Sequence, residues 1–441
     1  MFAWNLPPSP LSENIIPAGF YPHSVAADFY TMDDFDLSGK RVLLRVDFNS
    51  PIDPETGGLL DDSRLKEHLE TIRQLDRSKV ALMAHQGRPG KDDCTSLEAH
   101  AHVLSRLLGK PVRFVDSLFG KPALEGFQSL RSGEILVLEN TRFFAEEVAL
   151  KESEYRTKPH RLHTIRKLAG LADFFVCDAF AAAHRAQPTL TGFPELLPSL
   201  AGRLLEREVR MLRRALESTD RPKMAVLGGI KFDDSLSVAS HMLKEKIVDK
   251  VLTTGGVASV FLLAKGHKLG EKTEAVLGGV TEDLDGEVKR ATTILREHAE
   301  RIETPTDFAV NHQGNRRGIR LQDLPQEDPI ADIGLDTVVH YLSLLKPAKT
   351  IILNGPAGIF ELGEFSYGTE ELFRGVAETQ AFKVLGGGHT LAAVHKYGLG
   401  PRIDHLSTGG GALLEFLSGK PMPAIEALVR SKRKFPRGKS G

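Results

Sequence analysis

The stretch 383–394, KVLGGGHTLAAV, runs from an apolar, strand-like start into Gly386, Gly387 and Gly388, then His389 and Thr390, then a helix-like tail. A helix N-terminus carries unpaired N–H groups and a partial positive charge that attract anions, and glycine lets the backbone approach a ligand with no Cβ in the way. Such a unit is either a phosphate cradle or a tight turn where two backbones pack closely. The theme recurs. HLSTGGGALLEFL carries Gly409, Gly410 and Gly411; MAVLGGIKFDDS carries Gly228, Gly229 and Lys231; KVLTTGGVASVFL carries Gly255 and Gly256; TIILNGPAGIF carries Asn354, Gly355 and Gly358. Open parallel sheets bind ligands at the carboxyl ends of their strands, so five glycine-ended strands in one half of the chain point to a phosphate-bearing ligand.

The first half ends its strands differently. Its junctions deliver Arg45, Asp47 and Asn49, then Arg64 at a helix start, His85 and Arg88, Arg142, and His184 with Arg185. One arginine after a strand is ordinarily a surface ion pair. Arginines at successive strand-to-helix junctions suggest a basic basin for a small polyanion. One half thus reads as the seat of a compact acidic substrate and the other as the seat of a nucleotide. Neither G-x-x-x-x-G-K-[ST] nor G-x-G-x-x-G occurs, which argues against a P-loop enzyme and a standard dinucleotide domain.

The elements that must position these groups alternate. RVLLRVDFN is followed by DDSRLKEHLETIRQL, whose Leu65, Leu69, Ile72 and Leu75 fall on one helical face. KVALMAHQGRP leads to SLEAHAHVLSRLLG, which Gly109 and Pro111 end. PVRFVD, EILVLENTRFF and DFFVCDAFAAAHR continue the series. This βαβ grammar predicts a mostly parallel sheet with helices on both faces. A charged helix over roughly 200–219, LAGRLLEREVRMLRRALEST, separates two such series and is expected to bridge two domains.

At 441 residues the chain exceeds the size at which one core usually stops growing. Hydrophobic residues are 41%, charged residues 26% and the formal net charge is −1, so no global field recruits nucleic acid or acidic membrane. The two cysteines, Cys94 and Cys177, lack metal-ligand spacing and read as reduced, cytosolic thiols, hence a cytoplasmic protein. No apolar run reaches transmembrane length. Residues 1–31, rich in Pro and Ser, lack a signal-peptide pattern and are expected to form a poorly ordered arm. The basic end RSKRKFPRGKSG is expected to be solvated rather than a nucleic-acid tail.

RVLLRVDFNSP, DDSRL, AHQGRP, LENTRFF, DAFAAAHR, VLGGIK, LNGPAGIFE, LGGGHT and LSTGGGALLEFL resemble, in order, the signature stretches of the phosphoglycerate kinase family, and of its archaeal members above all. The resemblance runs from about Met32 to about Leu428, and Met32 is similar to where family members begin. It implies the step 1,3-bisphosphoglycerate + ADP ⇌ 3-phosphoglycerate + ATP. It also implies an α/β fold of two doubly wound parallel-sheet domains facing across a hinged cleft. Residues 32–203 would form the phosphoglycerate domain, with 420–441 returning to it, and 204–419 the nucleotide domain, beginning with the interdomain helix.

By the same resemblance, Asp47, Asn49, Arg64, His85, Arg88, Arg142 and Arg185 would hold the phosphoglycerate. Lys231, Asn354 and Gly386 to Gly388, with His389 and Thr390, would meet the nucleotide phosphates. Gly255 and Gly256 would line the adenine pocket, and Glu361 would take the ribose. Arg64 and Lys231 would carry the transferring charge, and Mg²⁺ would accompany ATP or ADP. Two residues depart from the family pattern. His389 stands where an aspartate usually helps hold the metal, and imidazole is a poor partner for Mg²⁺. Ser235 stands where most bacterial and eukaryotic members place a lysine. The metal's protein ligand is therefore left unassigned. Two other readings are an acyl-phosphate-forming kinase acting on another acid and a non-catalytic nucleotide-binding protein. The four basin arginines argue for phosphoglycerate.

Overall fold

The computed structural model describes residues 28–156 and 158–437. Strands β1 (Tyr30–Thr31), β2 (Arg41–Arg45), β3 (Lys79–Met83), β4 (Arg113–Phe114), β5 (Ile135–Val137), β6 (Phe174–Cys177) and β7 (Ser199–Ala201) form one sheet in the order β1-β7-β6-β2-β3-β5-β4. Every pairing in it is parallel. Strands β8 (Lys223–Leu227), β9 (Lys250–Thr253) and β10 (Ile302–Glu303) begin a second sheet. Strands β11 (Asp307–His312), β12 (Asn315–Arg320) and β13 (Ile330–Ile333) then form a small antiparallel one, and β14 (Thr350–Asn354), β15 (Phe382–Gly386) and β16 (His405–Ser407) complete the second as β10-β9-β8-β14-β15-β16. That six-stranded sheet is again all parallel.

The central strands are apolar on both faces because helices cover both. Val42, Leu43 and Leu44 of β2 are fully buried, as are Ala225, Val226 and Leu227 of β8. Strand order reverses between β2 and β6 in the first sheet and between β8 and β14 in the second. At these switch points a crevice opens outside the carboxyl ends of the strands. The basin residues follow β2, β3, β5 and β6, while the glycine runs follow β8, β9, β14, β15 and β16. Both sets therefore stand at the carboxyl edge of their sheet.

Helix Arg203–Glu217 runs from β7 to β8 and starts later than the sequence suggests, because Ser199–Ala201 pair with β6 as a strand. The Asp178 carboxylate accepts from its Leu204 and Leu205 N–H groups, 2.9 and 3.3 Å. At its other end the buried Lys223 ammonium donates to the Ala215 and Leu216 carbonyls, 3.0 and 2.8 Å. Orphan groups at both helix ends are thus satisfied, one by each sheet.

Two expectations about the chain ends change. Most of the expected arm, residues 1–27, lies outside the described residues. Its last residues are not an arm: Phe29 and Tyr30 are buried and Tyr30–Thr31 pairs with Leu200–Ala201. A two-residue strand is too short to show periodicity. The basic end is not simply solvated either. Helix Pro423–Lys434 packs on the first sheet's side of the molecule, where Ser431 Oγ donates to Leu197 O, 3.0 Å, and Arg430 pairs with Glu195 and Glu152. Residues 438–441 lie outside the described residues.

Candidate functional site

The basin is built on the carboxyl ends of β2, β3, β5 and β6. Asp47 and Asn49 follow β2, and the Asn49 N–H donates to the Asp47 carboxylate, 3.1 Å. The Asn49 amide oxygen accepts from Gly87 N–H, 2.8 Å, tying the β2 loop to the β3 loop. Arg64 opens helix Ser63–Glu67 and its Nη1 lies 3.3 Å from Asp47 Oδ2. His85 is buried, with Nδ1 3.9 Å from Asp47 and 3.3 Å from the Nη2 of fully buried Arg45. Arg142, after β5, donates to the Gly87 carbonyl, and Arg88 stands exposed on the same loop. Arg185 follows β6, with His184 Nε2 3.3 Å from its Nε.

These cations crowd one another. Burial, with the like charges of Arg185 and Arg45, pulls Arg142 down to about 10. Burial lowers Arg185 too, and the charge of Arg88 adds to it. Arg185 Nη1 and His184 Nδ1 are buried with no hydrogen-bond partner in the protein. Burial pushes His85 well below its ordinary value despite Asp47, so its ring is neutral. For Asp47, burial works upward, but the neighbouring charges and the Asn49 N–H prevail and its carboxyl stays low. With His85 neutral, Arg64 and that N–H are the lasting cause. The basin carries excess positive charge and unpaired donors, the condition a phosphate or carboxylate relieves.

Arg45 itself is scaffold. Its Nε donates to Thr189 Oγ1, 3.1 Å, and Thr189 Oγ1 donates to buried Glu147, 2.5 Å. The strand-end position marked Arg45 as a candidate, but its depth makes it a support beneath the basin.

Across the molecule, Leu227, Asn354, Gly386 and Ser407 lie level at the edge of the second sheet. The glycines there divide into two kinds. A Cβ on Gly228 would lie 2.2 Å from Thr254 Oγ1, one on Gly355 2.1 Å from Gly228 O, and one on Gly386 2.2 Å from Leu413. These positions are close protein–protein contacts. A Cβ on Gly388, an exposed residue that opens helix Gly388–Lys396, would meet nothing within 4 Å. Gly387 caps that helix at φ 98°, a conformation that disfavours a side chain.

A cleft of about 290 Å³ opens beside this edge, lined by Gly255, Gly256, Phe308, Leu277, Glu361 and His389 among others. Asn354 Nδ2 donates to Gly386 O, 2.8 Å, and Thr390 Oγ1 accepts from Gly355 N–H, 2.8 Å, so both fasten the glycine loops to each other. Lys231 is exposed at the cap of helix Phe232–Lys244, and among the described residues its ammonium has no hydrogen bond or ion pair. Ser235 lies one turn into that helix, buried, with its hydroxyl turned back on Lys231 O at 3.2 Å.

Among the described residues no three His, Cys, Asp or Glu side chains gather as a metal-binding group. Asp332 at the cleft is committed to Arg316 and Gly368 N–H, both 2.7 Å. The described residues therefore offer no chelating set of three such side chains for a metal.

The sequence reading missed the junction between the two sites. Arg64 Nη1 reaches Thr408 O across the domains, 3.4 Å. Thr408 N–H donates to buried Glu208 of the long helix, 2.8 Å, and His405 Nε2 lies 2.7 Å from the same carboxylate. One signal was available: Arg64 and His68 are four residues apart, hence on one helical face.

The family model for phosphoglycerate kinase matches residues 32–420. The phosphoglycerate kinase of Thermoplasma volcanium is 47% identical over 93% of this chain and 99% of its own length. That of Methanothermus fervidus is 45% identical over 92% and 98%. The crystal structure of the Pyrococcus horikoshii enzyme, 43% identical, superposes with a TM-score of 0.84 over 92% of this chain and all of its own. With that coverage, and with two parallel sheets presenting a cationic basin and a glycine edge, the chain belongs to the phosphoglycerate kinase family.

Proposed function

We propose that this chain, as a kinase of that family, passes the acyl phosphate of 1,3-bisphosphoglycerate to ADP between Arg64 on the basin side and Lys231 on the glycine side. Asp47, Asn49, His85, Arg88, Arg142 and Arg185 hold the phosphoglycerate. Gly255, Gly256 and Glu361 seat the nucleoside, and Asn354, Gly386 to Gly388, His389 and Thr390 frame the phosphates. The supporting observation is the surplus of buried cationic donors in the basin, including the unpartnered Arg185 Nη1, opposite an edge where Gly388 opens toward space.

In the direction of ATP consumption the acceptor is a carboxylate, ionised at neutral pH, so no general base is required. Phosphoryl transfer asks chiefly for positioning and charge stabilisation. Arg64 and Lys231 supply mobile positive charge to the equatorial oxygens, and the N-terminus of helix Gly388–Lys396 supplies a fixed one. Closure of the two domains about helix Arg203–Glu217 brings the groups together and excludes water. Mg²⁺, on this reading, would arrive on the nucleotide's own phosphates and would supply neutralisation of their charge. No helix among the described residues is long and apolar enough to cross a membrane, and the reading places the enzyme in the cytoplasm. The test is turnover with 3-phosphoglycerate and Mg·ATP against other phosphorylated hydroxy acids. Activity with 3-phosphoglycerate far above its analogues is the expected result. Equal rates with the analogues would overturn the assignment of the basin.

A further inference from the structure

His68 sits behind the basin, against the Asp47 backbone, in a circuit of hydrogen bonds that closes through one turn of helix Arg203–Glu217. The Asp47 N–H points at His68 Nε2, 3.0 Å, and the Asp47 carbonyl oxygen lies 3.2 Å from the same nitrogen, so the ring is held against the Asp47 backbone. Nδ1 faces Asp178 Oδ2 at 2.7 Å. The other Asp178 oxygen accepts from the first N–H groups of helix Arg203–Glu217. One turn along, Glu208 of that helix holds Thr408 N–H, and the Thr408 carbonyl accepts from Arg64, which returns to Asp47. His68, Asp178 and Glu208 are all buried. A narrow void lined by Asp47, Arg64, His68, Leu204 and Thr408 marks where the ring closes.

The geometry points to His68 as a positioning residue for domain closure: it ties the Asp47 backbone, inside the basin, to the N-terminus of the helix that connects the two domains. The inference rests on the reading of Asp47 as a phosphoglycerate group. When substrate settles against Asp47, any shift of that backbone is passed through the imidazole to Asp178 and so to the helix. A buried carboxylate that bonds the imidazole with one oxygen and helix amides with the other leaves little slack in the path. The helix residue Glu208 then moves Thr408 and the glycine loop that follows it. Coupling of this kind needs an element that both sites bias, and the helix end is that element.

Two substitutions cut the link at opposite ends. His68→Asn keeps a donor toward Asp178 and loses the Nε2 contacts with the Asp47 backbone. His68→Gln keeps a polar amide near the Nε2 position, against the Asp47 backbone, and loses the donor to Asp178. Both are assayed at a temperature where circular dichroism shows the native fold. For each we expect kcat to fall about tenfold, with the nucleotide KM within about twofold of wild type, the pattern for a step after binding. Calorimetric affinity for 3-phosphoglycerate should stay within about threefold. The contraction in radius of gyration on adding both substrates, read by small-angle scattering, should shrink in both variants. A purely structural histidine would instead leave the Asn variant, whose Asp178 remains satisfied, with wild-type kcat and full contraction; that result overturns the proposal. Loss of 3-phosphoglycerate binding in either variant also overturns it, since the link would then serve binding. Arg142→Ala, measured alongside, separates the two readings. Unchanged 3-phosphoglycerate affinity there would sink the basin, whatever the His68 variants show.

Discussion

On the proposed reading, the two edges solve one problem, holding an anion, with opposite materials. The first domain uses side chains: Arg142 and Arg185, with Arg45 buried beneath them, share a space where burial and like charge lower their pKa values. The second uses backbone: Gly228 and Gly355 pack main chain on main chain, and Gly388 stands exposed at a helix start with open space beside it. A cationic basin stores unfavourable charge until its ligand arrives, so its residues are tuned for binding at the expense of stability. A glycine edge stores none, but at Gly228, Gly355 and Gly386 it has no room for a Cβ. Damage to the first should read out as lost substrate, and damage to the second as lost architecture.

The largest effect should come where the two edges act on the same group. Arg64→Ala and Lys231→Ala should each lower kcat by about 10²-fold or more, the scale for losing an electrostatic stabiliser. Near-normal turnover in either, measured at saturating substrates, would leave the transferred charge without its proposed partners. Next, Arg142→Ala should weaken 3-phosphoglycerate binding by roughly 10- to 100-fold, as expected for charge-assisted hydrogen bonds, while the nucleotide KM stays put. Parallel loss of both affinities would show that the edges are not separable.

On the glycine side, Gly387→Val should raise the nucleotide KM by about tenfold or more and lower Tm, because position 387 sits at φ 98° with Asn354 Nδ2 2.8 Å from where a Cβ would go. Gly388→Ala has open space and should leave Tm unchanged, with a KM rise of only a few-fold. If Gly387→Val binds nucleotide normally, the backbone account of this edge fails. The smallest effect belongs to His389→Ala: a nucleotide KM about two- to fivefold higher with the Mg²⁺ requirement intact, the signature of lost uniform binding. A metal requirement abolished by that change would make His389 a ligand.

What the sequence made legible was whatever repeats locally. Strand-to-helix alternation placed both parallel sheets, and the strand ends placed the basin and the glycine runs. The antiparallel sheet of β11, β12 and β13 was missed. Its hairpin turns on Gln313 and Gly314, both at positive φ, and Gln-Gly is not among the dipeptides that usually mark such a turn. The glycines looked alike in sequence because a Cβ clash depends on what another segment places nearby. Gly228 is spoken for by Thr254 and Pro356, and Gly388 by nothing. His68 and Asp178 meet across 110 positions and Glu208 and Thr408 across 200, separations no local pattern reports.

Helix Pro423–Lys434 has a consequence for how the chain is made. It lies on the first domain, where Ala424 N–H donates to Ala183 O and Lys432 sits over the Tyr30 ring. During synthesis the first sheet emerges early, yet this covering helix leaves the ribosome after every strand of the second sheet. Domains ordinarily fold in order of emergence. Here the first domain must wait with Tyr30, Leu197 and Ser199 uncovered until the second is complete. The domain begun first is therefore the one finished last, and a nascent chain halted before residue 423 should hold a mature second domain beside an unfinished first.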